Sequence, residues 1–219
     1  MNYSPILIVS GEPNSVFLEL FFKVMKQDKI KSPIILISSK NLLNLQMKKL
    51  GFNKKIKLLH TSKLKSYKLD NKTINLIDVK YNSNKVFEKI SRKSNKFIKN
   101  SFDLAFQIIK KNNIHKFING PISKKEFLNN KFLGITEYVS EKFQAKNTCM
   151  LIYNKTLSVC PITTHLPLKL VSKKINKKII LKNVSLVNNF YEKKFNIKPR
   201  IAILGLNPHC ESVLKYNED

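Results

Sequence analysis

Short apolar, β-rich runs alternate along the chain with longer stretches of helical periodicity, and this alternation limits the possible folds more than any other feature. Strands are predicted at 5–9, 33–37, 73–79, 116–119, 149–153, 157–162 and 200–204. Helices are predicted at 15–27, 41–50, 83–111 and 176–195. In the first helix, Val16, Leu20 and Val24 recur at every fourth residue and form one apolar face. The pattern predicts an α/β protein with a largely parallel sheet.

Several classes of protein are disfavoured by the sequence. A chain of 219 residues is long enough for one large α/β domain or two small lobes. No apolar run approaches the roughly 20 residues that a membrane span needs, and the N-terminus lacks the pattern of a signal peptide. The three cysteines, Cys149, Cys160 and Cys210, show no CxxC spacing and are expected to be reduced thiols. We therefore expect a cytoplasmic protein with no membrane partner.

The formal net charge of +27 would ordinarily point to nucleic acid or an anionic surface as the partner. Of the 41 basic side chains, however, only Arg92 and Arg200 are arginine. Arginine is the side chain that reads phosphates and bases in a bidentate manner. The lysines are also spread along the whole chain. The charge is therefore interpreted as a solvated surface bias, and a basic nucleic-acid-binding protein is kept only as an alternative.

Polar side chains follow four of the predicted strands at the point where each strand ends. In open α/β sheets, ligands bind outside the carboxyl ends of the strands. The residues in question are Glu12, Ser123, Lys124, Thr163, Thr164, His165, Asn207, His209 and Glu211. The chemistry of the protein is therefore expected at this edge of the sheet.

Two histidines, His165 and His209, lie in loops that also contain proline. Neutral imidazole is the commonest protein ligand for a divalent transition metal, so two converging rings would form half of a metal site. The alternative is that both are ordinary hydrogen-bonded loop histidines. His60 and His115 have no such setting. Among the neighbours, Cys210 is either a soft metal ligand or a buried thiol, and Glu12 and Glu211 are either functional carboxylates or solvated turn residues.

The succession SGEP, NGPISKKEF, LGITEY, TTHLPL and GLNPHCE resembles the 4-hydroxythreonine-4-phosphate dehydrogenase family of vitamin B6 biosynthesis over essentially the whole chain. The resemblance implies a three-layer α/β/α, two-lobed fold like that of isocitrate and isopropylmalate dehydrogenases. It also implies a homodimer with the site in the cleft between lobes, at the subunit interface. His165 and His209 match the metal-binding histidines of the family. We expect them to lie close together at the carboxyl edge of one sheet.

Three departures from the family pattern bear on the site. The glycine-rich AGIGPE of the family is replaced by NSVFLE at residues 14–19, and the family's GHTE is replaced by Gly134-Ile135-Thr136-Glu137. Only Thr136 of the substrate-binding His-Thr pair therefore carries over. The family's chains continue well beyond the GLNPH loop, so a third histidine ligand, the catalytic residues and much of the NAD pocket are expected beyond Asp219. Residues 1–219 are accordingly predicted to form one incomplete two-lobed α/β unit.

The implied reaction is the oxidation of 4-hydroxythreonine 4-phosphate by NAD to a 2-amino-3-oxo acid phosphate. This product then loses CO2 and gives 3-amino-2-oxopropyl phosphate. The implied cofactors are NAD and a divalent metal, which could be zinc, magnesium, manganese or cobalt. Two alternatives remain open: a related dehydrogenase of a phosphorylated sugar acid such as threonate or erythronate 4-phosphate, and an inactive partial chain.

Overall fold

The computed structural model describes residues 3–27, 29–129 and 131–206. The chain divides into two compact units, Met1–Phe143 and Gln144–Asp219. The strands of the first unit are β1 (Ile6–Val9), β2 (Ile34–Ser38), β3 (Ile56–Leu58), β4 (Ile74–Asp78) and β5 (Lys116–Asn119). Its helices are α1 (Phe17–Met25), α2 (Lys40–Lys49), α3 (Asn95–Asn112) and α4 (Ile135–Lys142).

The five strands form one parallel sheet in the order β3-β4-β2-β1-β5. Ile6 of β1 is paired with Ile34 of β2 on one side and with Lys116 of β5 on the other. The chain therefore proceeds from β1 toward one edge of the sheet and returns to the opposite side of β1 with β5. This arrangement places the topological switch point, where open α/β sheets bind ligands, between the carboxyl ends of β1 and β5.

The side chains of the central strands alternate between two separate cores. Leu7 and Val9 of β1 pack with the apolar face of α3 and with Tyr138 of α4. Ile8, between them in sequence, points to the other face and packs with α1 and α2. Because successive side chains of a strand point to opposite faces, nearly every residue of β1 and β2 is buried. The predicted α/β class and three-layer arrangement are thus confirmed for this unit.

The apolar face predicted for the first helix is exposed. Val16, Leu20 and Val24 are 59%, 53% and 40% exposed. The core is instead contacted by the opposite side of α1, which carries Leu18, Phe21, Phe22 and Met25. Both faces of this segment are apolar, so periodicity alone does not identify the buried one. The side of α1 that carries the phenylalanine rings packs on the core because these rings bury the larger apolar area.

Among the described strands and α-helices of the first unit, two were not predicted from the sequence, and the helix predicted at 83–111 is much shorter than predicted. The unpredicted elements are β3, an edge strand of three residues, and α4, a helix of eight residues. The predicted helix 83–111 begins only at Asn95, after a 3-10 turn at Arg92–Ser94. No helix in the described ranges is long and apolar enough to cross a membrane.

The second unit contains α5 (Val171–Lys174) and α6 (Lys177–Phe195). The strands predicted at 149–153, 157–162 and 200–204 are wrong. The described residues of the second unit contain an isolated antiparallel bridge between Ile152 and Val159 and no strand. These runs have the composition of strands, but among the described residues they find no ladder partner beyond that bridge, and Leu204 is 88% exposed. A β-rich sequence becomes a strand only where a neighbouring strand pairs with it.

Candidate functional site at the switch point and in the histidine loop

The loops that follow β1 and β5 are in direct backbone contact at the switch point. The amide of Gly120 donates to the carbonyl of Val9 (2.7 Å), and the amide of Glu12 donates to the carbonyl of Pro121 (2.8 Å). A Cβ atom at Gly120 would lie 2.1 Å from the carbonyl oxygen of Ser10. Only glycine permits this approach. The SGEP and NGPIS segments therefore form one rigid double loop.

Glu12 is the buried carboxylate of this double loop and is only 2% exposed. Its carboxylate accepts hydrogen bonds from the hydroxyl of Ser94 (2.7 Å) and from the amide of Asn14 (3.3 Å). Ser94 directly precedes α3, so the negative charge of Glu12 lies beside the positive N-terminal end of this helix. The helix dipole stabilises a negative charge at that end. Glu12 is therefore not a solvated turn residue. It connects the double loop to α3.

Tyr81 lies next to this carboxylate. Burial raises the pKa of the Tyr81 phenol, and the charge of Glu12 raises this pKa further, while a hydrogen bond with the Asn14 side chain lowers it. The ring packs against Phe97 with its centroid 5.1 Å away. At neutral pH the phenol is protonated and can donate a hydrogen bond. Sequence reasoning missed Ser94 because it lies far from any strand end, and it missed Tyr81 although this residue lies three positions after β4.

Ser123 has a structural role at the start of the loop after β5. Its hydroxyl accepts from the amide of Glu126 (3.1 Å) and caps a short π-helical turn, Lys124–Leu128. The carboxylate of Glu126 is paired with Arg92 (3.2 Å), and its carbonyl accepts from Asn95 (2.6 Å). These contacts join the loop to the start of α3.

The substrate-binding candidate Thr136 is exposed in the first turn of α4. The residue before the helix is Gly134, so no side chain caps the first amides of α4. Uncapped amides at a helix N-terminus suit an anionic group. Ile135 is partly buried and packs against the apolar core that contains Tyr138.

His165 lies in an exposed loop of the second unit, with φ +56°. It does not follow a strand, because the run before it does not form one. The other predicted metal ligand, His209, lies outside the described residues together with Asn207, Cys210 and Glu211, so their predicted arrangement stays a prediction. His60 and His115 are exposed in the first unit.

An exposed imidazole is a suitable donor for a divalent transition metal, but a protein site needs at least three donors. Within the part of the chain that the structure describes, no group of three histidine, cysteine, aspartate or glutamate side chains could hold a metal ion. The described residues therefore provide one metal donor, His165, and do not form a complete site.

Comparison with known proteins agrees with the resemblance carried by these loops. Residues 29–218 match the family model for the pyridoxal phosphate biosynthetic protein PdxA. A 4-hydroxythreonine-4-phosphate dehydrogenase from Sulfurihydrogenibium is 32% identical over 209 residues, and one from Aquifex aeolicus is 30% identical over 205 residues. The alignments cover 94% and 93% of this chain but 63% and 62% of those proteins.

The structure is also similar to solved structures of 4-hydroxythreonine-4-phosphate dehydrogenases. The crystal structure of the 4-hydroxythreonine-4-phosphate dehydrogenase from Klebsiella pneumoniae superimposes with a TM-score of 0.81 at 20% identity, over 94% of this chain and 65% of that one. The enzyme from Burkholderia phymatum gives a TM-score of 0.79. Because the family model matches far more than half of its length, the chain belongs to the PdxA family of pyridoxal phosphate biosynthetic proteins.

Proposed function

We propose that this protein oxidises 4-hydroxythreonine 4-phosphate with NAD as hydride acceptor, in vitamin B6 biosynthesis. The observation that carries the proposal is the family match over residues 29–218. Relatives named for this activity support it. The chain spans about 63% of the length of the Sulfurihydrogenibium relative, so the activity, substrate and partners of the longer proteins are carried over here as proposals.

We assign His165 and His209 as two of the metal ligands, in a cytoplasmic homodimer. The exposure of His165 and the TTHLPL and GLNPHCE motifs support the assignment. A bound zinc, magnesium, manganese or cobalt ion would supply Lewis-acid activation of the substrate hydroxyl. One donor in the described part of the chain is too few to support any step through the metal. The remaining ligands are assigned to residues outside that part.

The contribution of the first unit is to bind and orient the substrate. The exposed hydroxyl of Thr136 and the uncapped amides of α4 suit a phosphate group. At the switch point, Glu12 holds the double loop in place through Ser94, and the phenol of Tyr81 is kept protonated. Such fixed donors and rigid loops orient a bound substrate, and orientation is a large part of catalysis.

A second candidate substrate is threonate or erythronate 4-phosphate. The observation in its favour is Ile135, which stands where the family has a substrate-binding histidine. Ile135 cannot hydrogen-bond, and it packs against the apolar core. Either the substrate of this protein lacks the group that the histidine would contact, or another residue makes that contact.

The test is NADH formation, followed by absorbance, with 4-hydroxythreonine 4-phosphate and with threonate and erythronate 4-phosphates. Zinc, magnesium and manganese are added in turn, and a chelator provides the control. The assay is run on the 219-residue chain and on any longer reading frame that contains it. We expect weak turnover from the chain itself, because it spans only about 63% of the length of the Sulfurihydrogenibium relative. Absence of turnover in every preparation, with the protein folded, would contradict the proposal.

A further inference from the structure

The two cysteines of the second unit that the structure describes lie on the two arms of a short hairpin. Ile152 and Val159 exchange two backbone hydrogen bonds, of 2.8 and 3.0 Å. Cys160 directly follows Val159, and Cys149 lies three residues before Ile152. The Cys149 side chain acts electrostatically on the Cys160 thiol, so the two side chains are close together, and both are partly exposed.

The separation of the cysteines is fixed by the turn between them. The amide of Asn154 donates to the hydroxyl of Ser158 (3.1 Å), and this hydroxyl donates to the carbonyl of Asn154 (3.0 Å). Tyr191 of α6 donates to the same Ser158 oxygen (2.8 Å) and thereby anchors the turn to the longest helix of the unit. The thiols are therefore held together by folded structure rather than by a free loop.

The Cys160 thiol is partly buried. Burial raises the pKa of the Cys160 thiol, and the neighbouring Cys149 side chain raises this pKa further. The thiolate is the nucleophile in disulfide exchange, so a raised pKa makes Cys160 the slower attacking group. A slow attacking group is sufficient for the second, intramolecular step, because the mixed disulfide holds the two sulfur atoms close together.

We propose that Cys149 and Cys160 are a redox modification site that closes to a reversible disulfide by exchange with a low-molecular-weight disulfide such as glutathione disulfide. The Cys149 thiolate attacks one sulfur of glutathione disulfide, which forms a mixed disulfide and releases one glutathione thiolate. The Cys160 thiolate then attacks the Cys149 sulfur and releases the second glutathione. Two electrons pass from the protein to glutathione disulfide, and the two thiol protons are recovered on the two glutathione molecules.

The consequence of closure is local. Cys160 lies five residues before His165, so the disulfide would cross-link the segment that leads into the histidine loop. The disulfide would form whether or not the chain oxidises a phosphorylated substrate. Its detection therefore does not depend on the dehydrogenase activity.

The sequence allows a direct test by tryptic digestion. Cleavage after Lys146, Lys155 and Lys169 places Cys149 in residues 147–155 and Cys160 in residues 156–169, while Cys210 lies in residues 201–215. The purified chain is equilibrated with reduced and oxidised glutathione at graded ratios. Free thiols are then alkylated, and the digest is analysed by mass spectrometry without reduction. We expect the 147–155 and 156–169 peptides to be linked to each other, and the link to disappear after reduction.

The controls separate a preformed pair from random oxidation. Cys149→Ser and Cys160→Ser should each abolish the linked peptide, and Cys210→Ser should leave it unchanged. The equilibration is repeated in guanidinium chloride, where unfolding separates the thiols. Half of the unfolded chain should be oxidised only at a ratio of glutathione disulfide to the square of glutathione that is at least about tenfold higher than for the folded chain. Equal oxidation of the folded and unfolded chains, or predominant links to the Cys210 peptide, would overturn the proposal.

Discussion

The hydroxyl of Ser94 donates a hydrogen bond of 2.7 Å to the carboxylate of Glu12, and this bond joins the loop after β1 to the start of α3. The two residues are 82 positions apart in the sequence. A buried carboxylate requires donors, since an unpaired charge in the interior is costly. The pair therefore fixes the switch-point loop against the helix that packs on the sheet.

The first prediction concerns this pair. Ser94→Ala removes one donor from a buried carboxylate and should lower the free energy of unfolding by about 1 to 3 kcal/mol. The measurement is urea-induced unfolding followed by circular dichroism. The matched control is Ser62→Ala, because Ser62 is exposed in a 3-10 segment. This control should change stability by less than about 0.5 kcal/mol, and equal effects of the two variants would contradict the role given to Ser94.

The second prediction separates steric contact from backbone strain at Gly11. Gly11 and Gly51 have similar positive φ angles of +71° and +59°. A Cβ atom at Gly11 would lie 2.3 Å from the carbonyl oxygen of Pro121, whereas one at Gly51 would meet nothing within 4 Å. Gly51→Ala should therefore lower the free energy of unfolding by about 1 to 2 kcal/mol, which is the strain of the left-handed conformation alone.

Gly11→Ala should lower the free energy of unfolding by about 1 to 3 kcal/mol more than Gly51→Ala does, because the SGEP and NGPIS loops must separate to admit the methyl group. Thermal unfolding of the two variants, measured side by side, provides the comparison. Equal losses of stability would mean that the SGEP and NGPIS loops can separate without cost.

Most of the first unit was predictable from the sequence because its strands are buried on both faces. Four of its strands were each located to within one residue at either end: Ile6–Val9, Ile34–Ser38, Ile74–Asp78 and Lys116–Asn119. The strand Ile56–Leu58 was missed because three residues at a sheet edge carry too little periodicity. In the second unit the same composition was misleading, since β propensity does not provide a pairing partner.

The candidate site was only partly predictable. Glu12 and Ser123 were found because they directly follow strands. Ser94 reaches the same place through the packing of α3, which leaves no local sequence signal. Tyr81 lies three residues after β4, the same setting as that of Glu12 after β1, and was missed. The roles of Thr136 and His165 came from the family motifs.

The third prediction concerns the two faces of α1. Leu18 is 2% exposed and Leu20 is 53% exposed, so the same substitution should have very different effects. Leu18→Ala should lower the free energy of unfolding by about 2 to 5 kcal/mol through the lost burial and the cavity it leaves. Leu20→Ala should change it by less than about 0.5 kcal/mol. Denaturant unfolding of both variants tests which face meets the core. A larger loss for Leu20→Ala would reverse the assignment.

The fourth prediction concerns metal binding. If His165 and His209 hold one ion, His165→Ala and His209→Ala should each weaken zinc binding at least about tenfold, which corresponds to about 1.4 kcal/mol. Isothermal titration with zinc measures this without any turnover. His60→Ala and His115→Ala are the matched controls, because these histidines are exposed in the first unit and have no assigned role. Unchanged affinity in both test variants, or an equal loss in the controls, would contradict the ligand assignment.

The fifth prediction concerns Ile135, where the two candidate substrates lead to different expectations. Ile135→His introduces a side chain that can hydrogen-bond beside Thr136, at a position where the present side chain packs against the core. If the substrate is 4-hydroxythreonine 4-phosphate, this new contact is worth about 1 to 3 kcal/mol. We expect it to change KM more than kcat, since binding the ground state and the transition state equally well does not alter the chemical step.

The measurement is kcat/KM for 4-hydroxythreonine 4-phosphate and for threonate 4-phosphate, in the unmutated protein and in Ile135→His. Ile135→Val is the matched control, because it disturbs the packing by about 0.5 to 1.5 kcal/mol without adding a polar group. A fall in KM for 4-hydroxythreonine 4-phosphate in Ile135→His, and not in Ile135→Val, supports a substrate group that the isoleucine leaves without a partner. A clear preference of the unmutated protein for threonate 4-phosphate would instead favour the sugar-acid reaction.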